Sequence, residues 1–226
     1  MERTLWCQVR RLTSTGDQGY RSDRREVQMT SQPPKVVVLA GPNGAGKSTA
    51  AAKLLIGALP VHEFVNADTI ARGLSAFAPD DAAWEAGRVM LHRLDELAAR
   101  RVSFAFETTL SSRSFAPRLH ALQAAGYEFH LFFLWLPTAE MAIARVADRV
   151  RAGGHDVPEA TIRRRYHGGL RNLRTLYLPL ANAWNLIDNT RRHRPSLIAA
   201  GSLGKPPLVY DKAVWRTIMQ EDSAWH

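Results

Sequence analysis

The sequence predicts an α/β fold, a parallel sheet flanked by helices, and three observations carry that prediction. From residue 35 onward, apolar runs of strand length alternate with stretches of helical period. A glycine-rich phosphate-loop pattern lies across the first strand–helix junction. The most unusual polar residues, Asn66, Asp68, Glu107, Thr108 and Thr109, all fall just after apolar runs. In an open parallel sheet that is the carboxyl edge, where ligands bind.

Each element follows in order. Lys35–Ala40 is the first strand, and a helix from Lys47 to about Gly57 follows the loop. Phe64–Asn66 is a short second strand ending near Asp68. Asp81 to Arg100 is helical, with Ala83, Ala86, Met90, Leu91, Leu94 and Leu97 on one face. Val102–Phe106 is the third strand, and the helix Arg113–Ala125 stops at Gly126. Tyr127–Leu136, apolar and aromatic nearly throughout, reads as a strand buried on both faces. A helix from Thr138 to Arg151 breaks at Gly153-Gly154, and a basic helix starts near Pro158. Trp184–Asp188 is the last central strand. The expected division is a flexible extension over 1–33, a main domain over 34–200 with an arginine-rich helical lid at about 149–175, and a C-terminal tail over 201–226 carrying a short helix. Met29, followed by the polar run Thr-Ser-Gln-Pro-Pro, is the expected natural start.

The loop reads Gly41-Pro42-Asn43-Gly44-Ala45-Gly46-Lys47-Ser48-Thr49. Its glycines let successive backbone N–H groups turn inward on phosphate oxygens, and the start of the next helix adds its dipole. Lys47 reaches the β- and γ-phosphates, and the Ser48 hydroxyl is placed to ligate Mg²⁺. A nucleoside triphosphate is therefore the expected ligand, and the fold is of the P-loop NTPase or kinase type. Asp68, at the same edge, is suited to accept the proton of an attacking hydroxyl, or else to cap a short helix at Thr69–Gly73. Glu107 is suited to hold Mg²⁺ through water or to bind a substrate hydroxyl. Thr108 and Thr109 add hydroxyls, and otherwise make a strand-end turn.

Composition narrows the class. The 226 residues are 46% hydrophobic with a formal net charge of +9. That supports a full core in one domain. No apolar run approaches the roughly 20 residues of a membrane helix, and the segment from Met1 to Arg11 lacks a secretory core. The single cysteine, Cys7, fits a reducing cytoplasm. Much of the positive charge lies in Arg145, Arg149, Arg151, Arg163, Arg164, Arg165, Arg171 and Arg174, around the joint Gly153-Gly154-His155-Asp156-Val157-Pro158. Arginines on a joint beside a phosphate loop suit closure over a γ-phosphate. No RNA-recognition, zinc-finger or helix-turn-helix pattern accompanies them, so nucleic acid is not the expected partner. The transporter-ATPase signature is absent, since Leu110-Ser111-Ser112 lacks its glycines, and no apolar run ends in Asp-Glu.

In order, the segments GPNGAGKST, FVNADTIA, FAFETTLSS, FLWLP, RVADRVRAGGHDVPEATIRRRY and LIDN resemble the zeta-toxin family of P-loop kinases, in its Gram-negative chromosomal branch. The resemblance covers most of Pro34–Asn189. It implies ATP-dependent phosphorylation of a nucleotide-type small molecule, with UDP-N-acetylglucosamine as the best-known acceptor. It assigns Lys47 and Ser48 to ATP and Mg²⁺, Asp68 as base, and Glu107 and Thr109 to the acceptor; Asn66, at the same edge, is a further candidate acceptor contact. Arg151 and Arg164 become the phosphate-clamping arginines, and an antitoxin becomes a possible partner. NAD, a nucleoside or a nucleic-acid 5′ end stay open as acceptors. So does a role as a nucleotide-dependent binding protein.

Overall fold

A computed structural model describes residues 32–57, 59, 61–75, 82–191 and 194–220. The expected N-terminal extension and the Met29 start lie outside these residues, apart from the short stretch preceding the first strand. Five parallel strands form the centre of one seven-stranded sheet: β1 (Lys35–Ala40), β2 (Glu63–Val65), β3 (Phe104–Thr108), β4 (Glu128–Trp135) and β5 (Ala183–Asp188). Two antiparallel strands, β6 (Ser196–Ser202) and β7 (Leu208–Val209), extend one edge, giving the order β2-β3-β1-β4-β5-β6-β7. The sheet is thus mixed rather than wholly parallel. β6 follows β5 after a short connection, too short for the helical crossover that a parallel neighbour needs. It also crosses residue 200, where the tail was expected to begin.

The helices are α1 (Lys47–Gly57), α2 (Ala67–Leu74), α3 (Ala83–Ala99), α4 (Phe115–Ala124), α5 (Ala139–Arg151), α6 (Glu159–Asn172), a π-helical turn at Leu173–Tyr177, the short α7 (Leu178–Leu180) and α8 (Lys212–Met219). Alternation along each strand divides the core between the two faces of the sheet. Val36 and Val38 of β1, Phe104 and Phe106 of β3, and Phe129, Leu131 and Phe133 of β4 pack with α3, α4, α6 and the π turn. Val37, Leu39, Ala105 and Phe132 face α1. Fully burying an aromatic of this size stabilises the fold by about 1.5–3 kcal/mol. A third cluster joins Ala45 and Ala50, Leu134 and Leu136, Ala142 and Val146, Val157 and Ile162, directly beneath the phosphate loop.

Two expected boundaries shift in ways that matter. β3 begins two residues later than expected, after Arg101 turns through a positive φ of 53°, so Glu107 and Thr108 end the strand instead of following it. β2 ends at Val65, and Asn66, not Asp68, caps α2. On α3, Ala86, Met90, Leu94 and Leu97 are buried as expected, whereas Leu91 is 38% exposed, one residue off the stripe. Among the described residues no helix is long and apolar enough to cross a membrane.

His130 on β4 is buried on the α1 side, its Nε2 3.1 Å from Glu128 Oε2 and its Nδ1 without a hydrogen-bond partner among the described residues. Burial pulls its pKa below the ordinary value; the Glu128 bond opposes the shift, and nearby Lys35 adds to it. The folded state therefore keeps the ring neutral while the unfolded chain binds a proton below about pH 6.5. Stability contributed by the neutral ring is complete above that pH and is lost as pH falls toward the depressed folded value. His130→Leu should accordingly lose about 2–4 °C less in Tm between pH 7.5 and 5.5 than the parent chain, measured by thermal melts.

Candidate active site

The phosphate loop leaves the carboxyl end of β1 and is held so closely that only glycines fit. At Gly41 φ is 140°, and a Cβ would stand 2.3 Å from the Leu134 carbonyl oxygen of β4. At Gly44 φ is 74°, and a Cβ would meet Arg145 Cβ at 2.8 Å. The loop also receives a bond from Asn189 Nδ2, after β5, to the Ala45 carbonyl at 2.7 Å. Loop and α1 N-terminus line a cleft of about 450 Å³, together with Asp68, Glu107, Arg145, Arg149 and Asn189.

Four side chains meet at its floor. Glu107 Oε2 accepts from Ser48 Oγ at 2.7 Å and from Asn66 Nδ2 at 2.8 Å. Lys47 Nζ lies 3.7 Å from Glu107 Oε1 and donates to the carbonyls of Gly41 and Pro42 at 3.0 and 2.9 Å. Burial pulls the Lys47 pKa below its ordinary value; the charges of Glu107 and Asp68 oppose that shift, and Arg149 adds to it. Asn66 uses its other end as the cap of α2, its Oδ1 accepting from the N–H groups of Asp68 and Thr69 at 2.8 and 3.2 Å. With capping done by Asn66, the Asp68 carboxylate takes no part in the cap and is exposed on the wall of the cleft.

The arginines sort by helical phase. Arg145 and Arg149, four residues apart on α5, both line the cleft. Arg145 donates to the Thr190 carbonyl at 2.7 Å. Arg149 donates to the His155 carbonyl at 2.7 Å, while its buried Nε has no hydrogen-bond partner among the described residues. Arg151 is turned away, 76% exposed and paired with Asp148 one turn back. On α6, Arg164 is exposed, whereas Arg165 is partly buried within the electrostatic reach of Asp68. Burial pushes the Arg165 pKa below its ordinary value, with Asp68 opposing and Arg164 adding to the shift. Of these arginines, Arg145 and Arg149 line the cleft and Arg165 stands within the electrostatic reach of Asp68, whereas Arg151 and Arg164, expected from the sequence, are exposed. A two-residue slip rotates a helical side chain by about 200°.

Thr108 and Thr109 are placed beyond Glu107 but point into their own loop. Thr108 Oγ1 accepts from the Leu110 N–H at 3.1 Å, and Thr109 Oγ1 lies 2.9 Å from Ser111 Oγ. Asn189 lines the cleft without having been given a role from the sequence, and Arg145 and Arg149 were named there only as members of the arginine cluster. The adjacency of LIDN to the last strand was the available signal for Asn189.

The residues present fit the ligands that the loop implies. A buried guanidinium nitrogen without a partner, a buried ammonium and the N-terminus of α1 suit a polyphosphate. The oxygen set of Ser48 and Glu107 suits Mg²⁺, which is normally held by few protein ligands together with phosphates and water.

Residues 36–166 match the model of a family described as AAA domain, and the chain belongs to that family. Its core is a P-loop fold of the kinase-like kind. An uncharacterized protein of Haemophilus influenzae is 29% identical over 132 residues, which are 58% of this chain and 92% of that protein. Among solved structures, the AvrRxo1-ORF1:AvrRxo1-ORF2 complex determined with ATP superposes with a TM-score of 0.68 at 16% identity, over 84% of this chain and 64% of the matched one. This chain thus spans less than two thirds of that matched chain. A chain of the PezAT chromosomal toxin–antitoxin system of Streptococcus pneumoniae superposes at 0.60 and 14% identity, over 99% of this chain and 88% of that one. At such identities the likeness is one of fold.

The arginine assignment has a direct check. With ATP as probe in titration calorimetry, Arg149→Ala should weaken binding by about tenfold or more, the value of one charge-assisted contact. Arg151→Ala should change it by less than about twofold, as expected for an exposed pair.

Proposed function

We propose that the chain is a phosphotransferase that moves the γ-phosphoryl group of ATP to a hydroxyl of a small nucleotide-type acceptor. The observation that carries this reading is the Asp68 carboxylate, released from capping by Asn66 and facing the same cleft as Lys47, Ser48 and Arg149. A carboxylate at that place has a use in transfer to a hydroxyl, which must lose its proton.

In the reaction, the acceptor oxygen forms a bond to the γ-phosphorus as the bond from that phosphorus to the β,γ-bridging oxygen breaks. The acceptor proton passes to Asp68, and ADP leaves. Lys47 and Arg149 hold the phosphate oxygens on the loop side, and Arg165 balances charge beside Asp68. Such positioning and electrostatic stabilisation carry most of phosphoryl transfer. Mg²⁺, when bound at Ser48, neutralises charge on the β- and γ-phosphates. Glu107 orients Ser48 and Asn66 and keeps Lys47 at the loop.

Within this reading the acceptor is UDP-N-acetylglucosamine, as the resemblance to zeta toxins implies, and the setting is cytoplasmic. The structural likeness to a PezAT chain and to the AvrRxo1 complex, each named with a partner, supports an antitoxin as partner. The catalytic unit is assigned to residues 34–200, and within segment 149–175 Arg149 and Arg165 act on the nucleotide from helices already in place.

The test is transfer of γ-labelled phosphate to UDP-N-acetylglucosamine, other UDP-sugars, NAD, nucleosides and a 5′-hydroxyl oligonucleotide. Asp68→Asn should keep ATP binding within about twofold and lower transfer by about 10²- to 10⁴-fold, the usual range for loss of a general base. Unchanged transfer removes Asp68 from the chemistry. ATP binding without any labelled acceptor overturns the kinase reading in favour of a nucleotide-dependent binding protein.

A further inference from the structure

The loop after β3 is built in a way that the chemistry above does not use. Leu110 has φ 57°, a left-handed conformation that residues with a side chain rarely adopt. Its side chain is fully buried. Strain of this kind persists only where the surroundings over-determine the backbone. Here those surroundings are α6 and the π turn. Asn172, 4% exposed, donates through Nδ2 to the carbonyls of Leu110 and Ser111 at 2.8 and 3.1 Å. Tyr177 Oη donates to the Ser112 carbonyl at 2.7 Å. Gly169 lies so close that a Cβ there would stand 2.5 Å from the Thr109 carbonyl oxygen.

The π turn explains how both side chains reach one loop. In an α-helix, residues five apart point about 140° away from each other. The i→i+5 turn at Leu173–Tyr177 brings Asn172 and Tyr177 to the same side. In the middle of α6, Tyr166 Oη donates to the Leu136 carbonyl, just past β4, at 2.9 Å. Arg165 is the residue before Tyr166.

We propose that Asn172 is a positioning residue that locks the Thr108–Ser112 loop and the Arg165 helix into one rigid unit, so that the acceptor-side loop and the clamping arginine are placed together. The joint at Gly153-Gly154 is then the flexible element, and α6 is fixed. This rests on the phosphotransferase reading for its consequence in turnover, but the mechanical coupling stands apart from it. In Asn172→Asp the carboxylate cannot donate to the two carbonyls. Tyr177→Phe removes a single hydroxyl at nearly constant volume.

Two readouts test it. Hydrogen exchange of backbone amides should rise together in 108–114 and 163–170 in Asn172→Asp, by about tenfold or more, with the 41–49 loop unchanged. Tyr177→Phe should give the same pattern with a smaller rise and an unchanged far-ultraviolet spectrum, so that the result holds even if Asn172→Asp fails to fold. Exchange rising in only one of the two segments, or equally in 41–49, overturns the coupling. With UDP-N-acetylglucosamine as acceptor, kcat/KM for the acceptor should fall at least tenfold in Asn172→Asp while KM for ATP changes less than twofold. An equal loss in both parameters makes Asn172 merely structural. If the parent chain transfers no phosphate, the phosphotransferase reading fails while the exchange result still decides the coupling.

Discussion

The carboxylate of Glu107 holds the carboxyl edge of the sheet together. Standing at the end of β3, it gathers Ser48 from the start of α1, Asn66 from the junction of β2 and α2, and Lys47 from the phosphate loop. A carboxylate that is only 12% exposed is held in place most readily when donors surround it. Its requirement for partners therefore ties the start of α1 and the junction of β2 and α2 to the end of β3. Asn66 passes the constraint on: its amide is committed to Glu107, so its oxygen caps α2 and leaves Asp68 free on the cleft wall. Local polar satisfaction in this way becomes a chemical arrangement.

The second constraint is steric. The phosphate loop rests against the end of β4, and the cluster of Ala45, Leu134, Ala142, Val146 and Ile162 beneath it is built mainly from small and aliphatic side chains. Because α5 and α6 both contribute to that cluster, the arginines they carry are set at fixed heights above the loop. α5 presents Arg145 and Arg149 through one helical face. α6 is pinned by Tyr166 and Asn172 at either end of its second half. Anions entering the cleft thus meet positive groups already in place, which limits the ordering cost of binding.

Most of the central architecture was legible from the residues. β1 and α1 coincide with the expected spans, β4 is one residue shorter at each end and β5 begins one residue earlier, because buried runs and helix caps are local signals. The phosphate loop, Asp68 and Glu107 were likewise identifiable, since their spacing follows directly from strand–loop–helix geometry. The antiparallel strands β6 and β7 were not foreseen. Their residues, SLIAAGS and LV, are short and mixed with turn formers, and they gain strand character by pairing with β5.

What the sequence by itself determined is the order of the elements from β1 to β5, the phosphate loop, and the polar residues Asp68 and Glu107 beside it. Those depend on contacts between near neighbours, which a one-dimensional pattern records. Only the tertiary structure decided which arginines reach the cleft, that Asn66 and not Asp68 caps α2, and that Asn172 holds the loop sixty-odd residues before it. Each of these turns on helix phase or on a contact between distant segments. A one-residue change of phase swings a side chain by about 100°, beyond what periodicity alone can resolve.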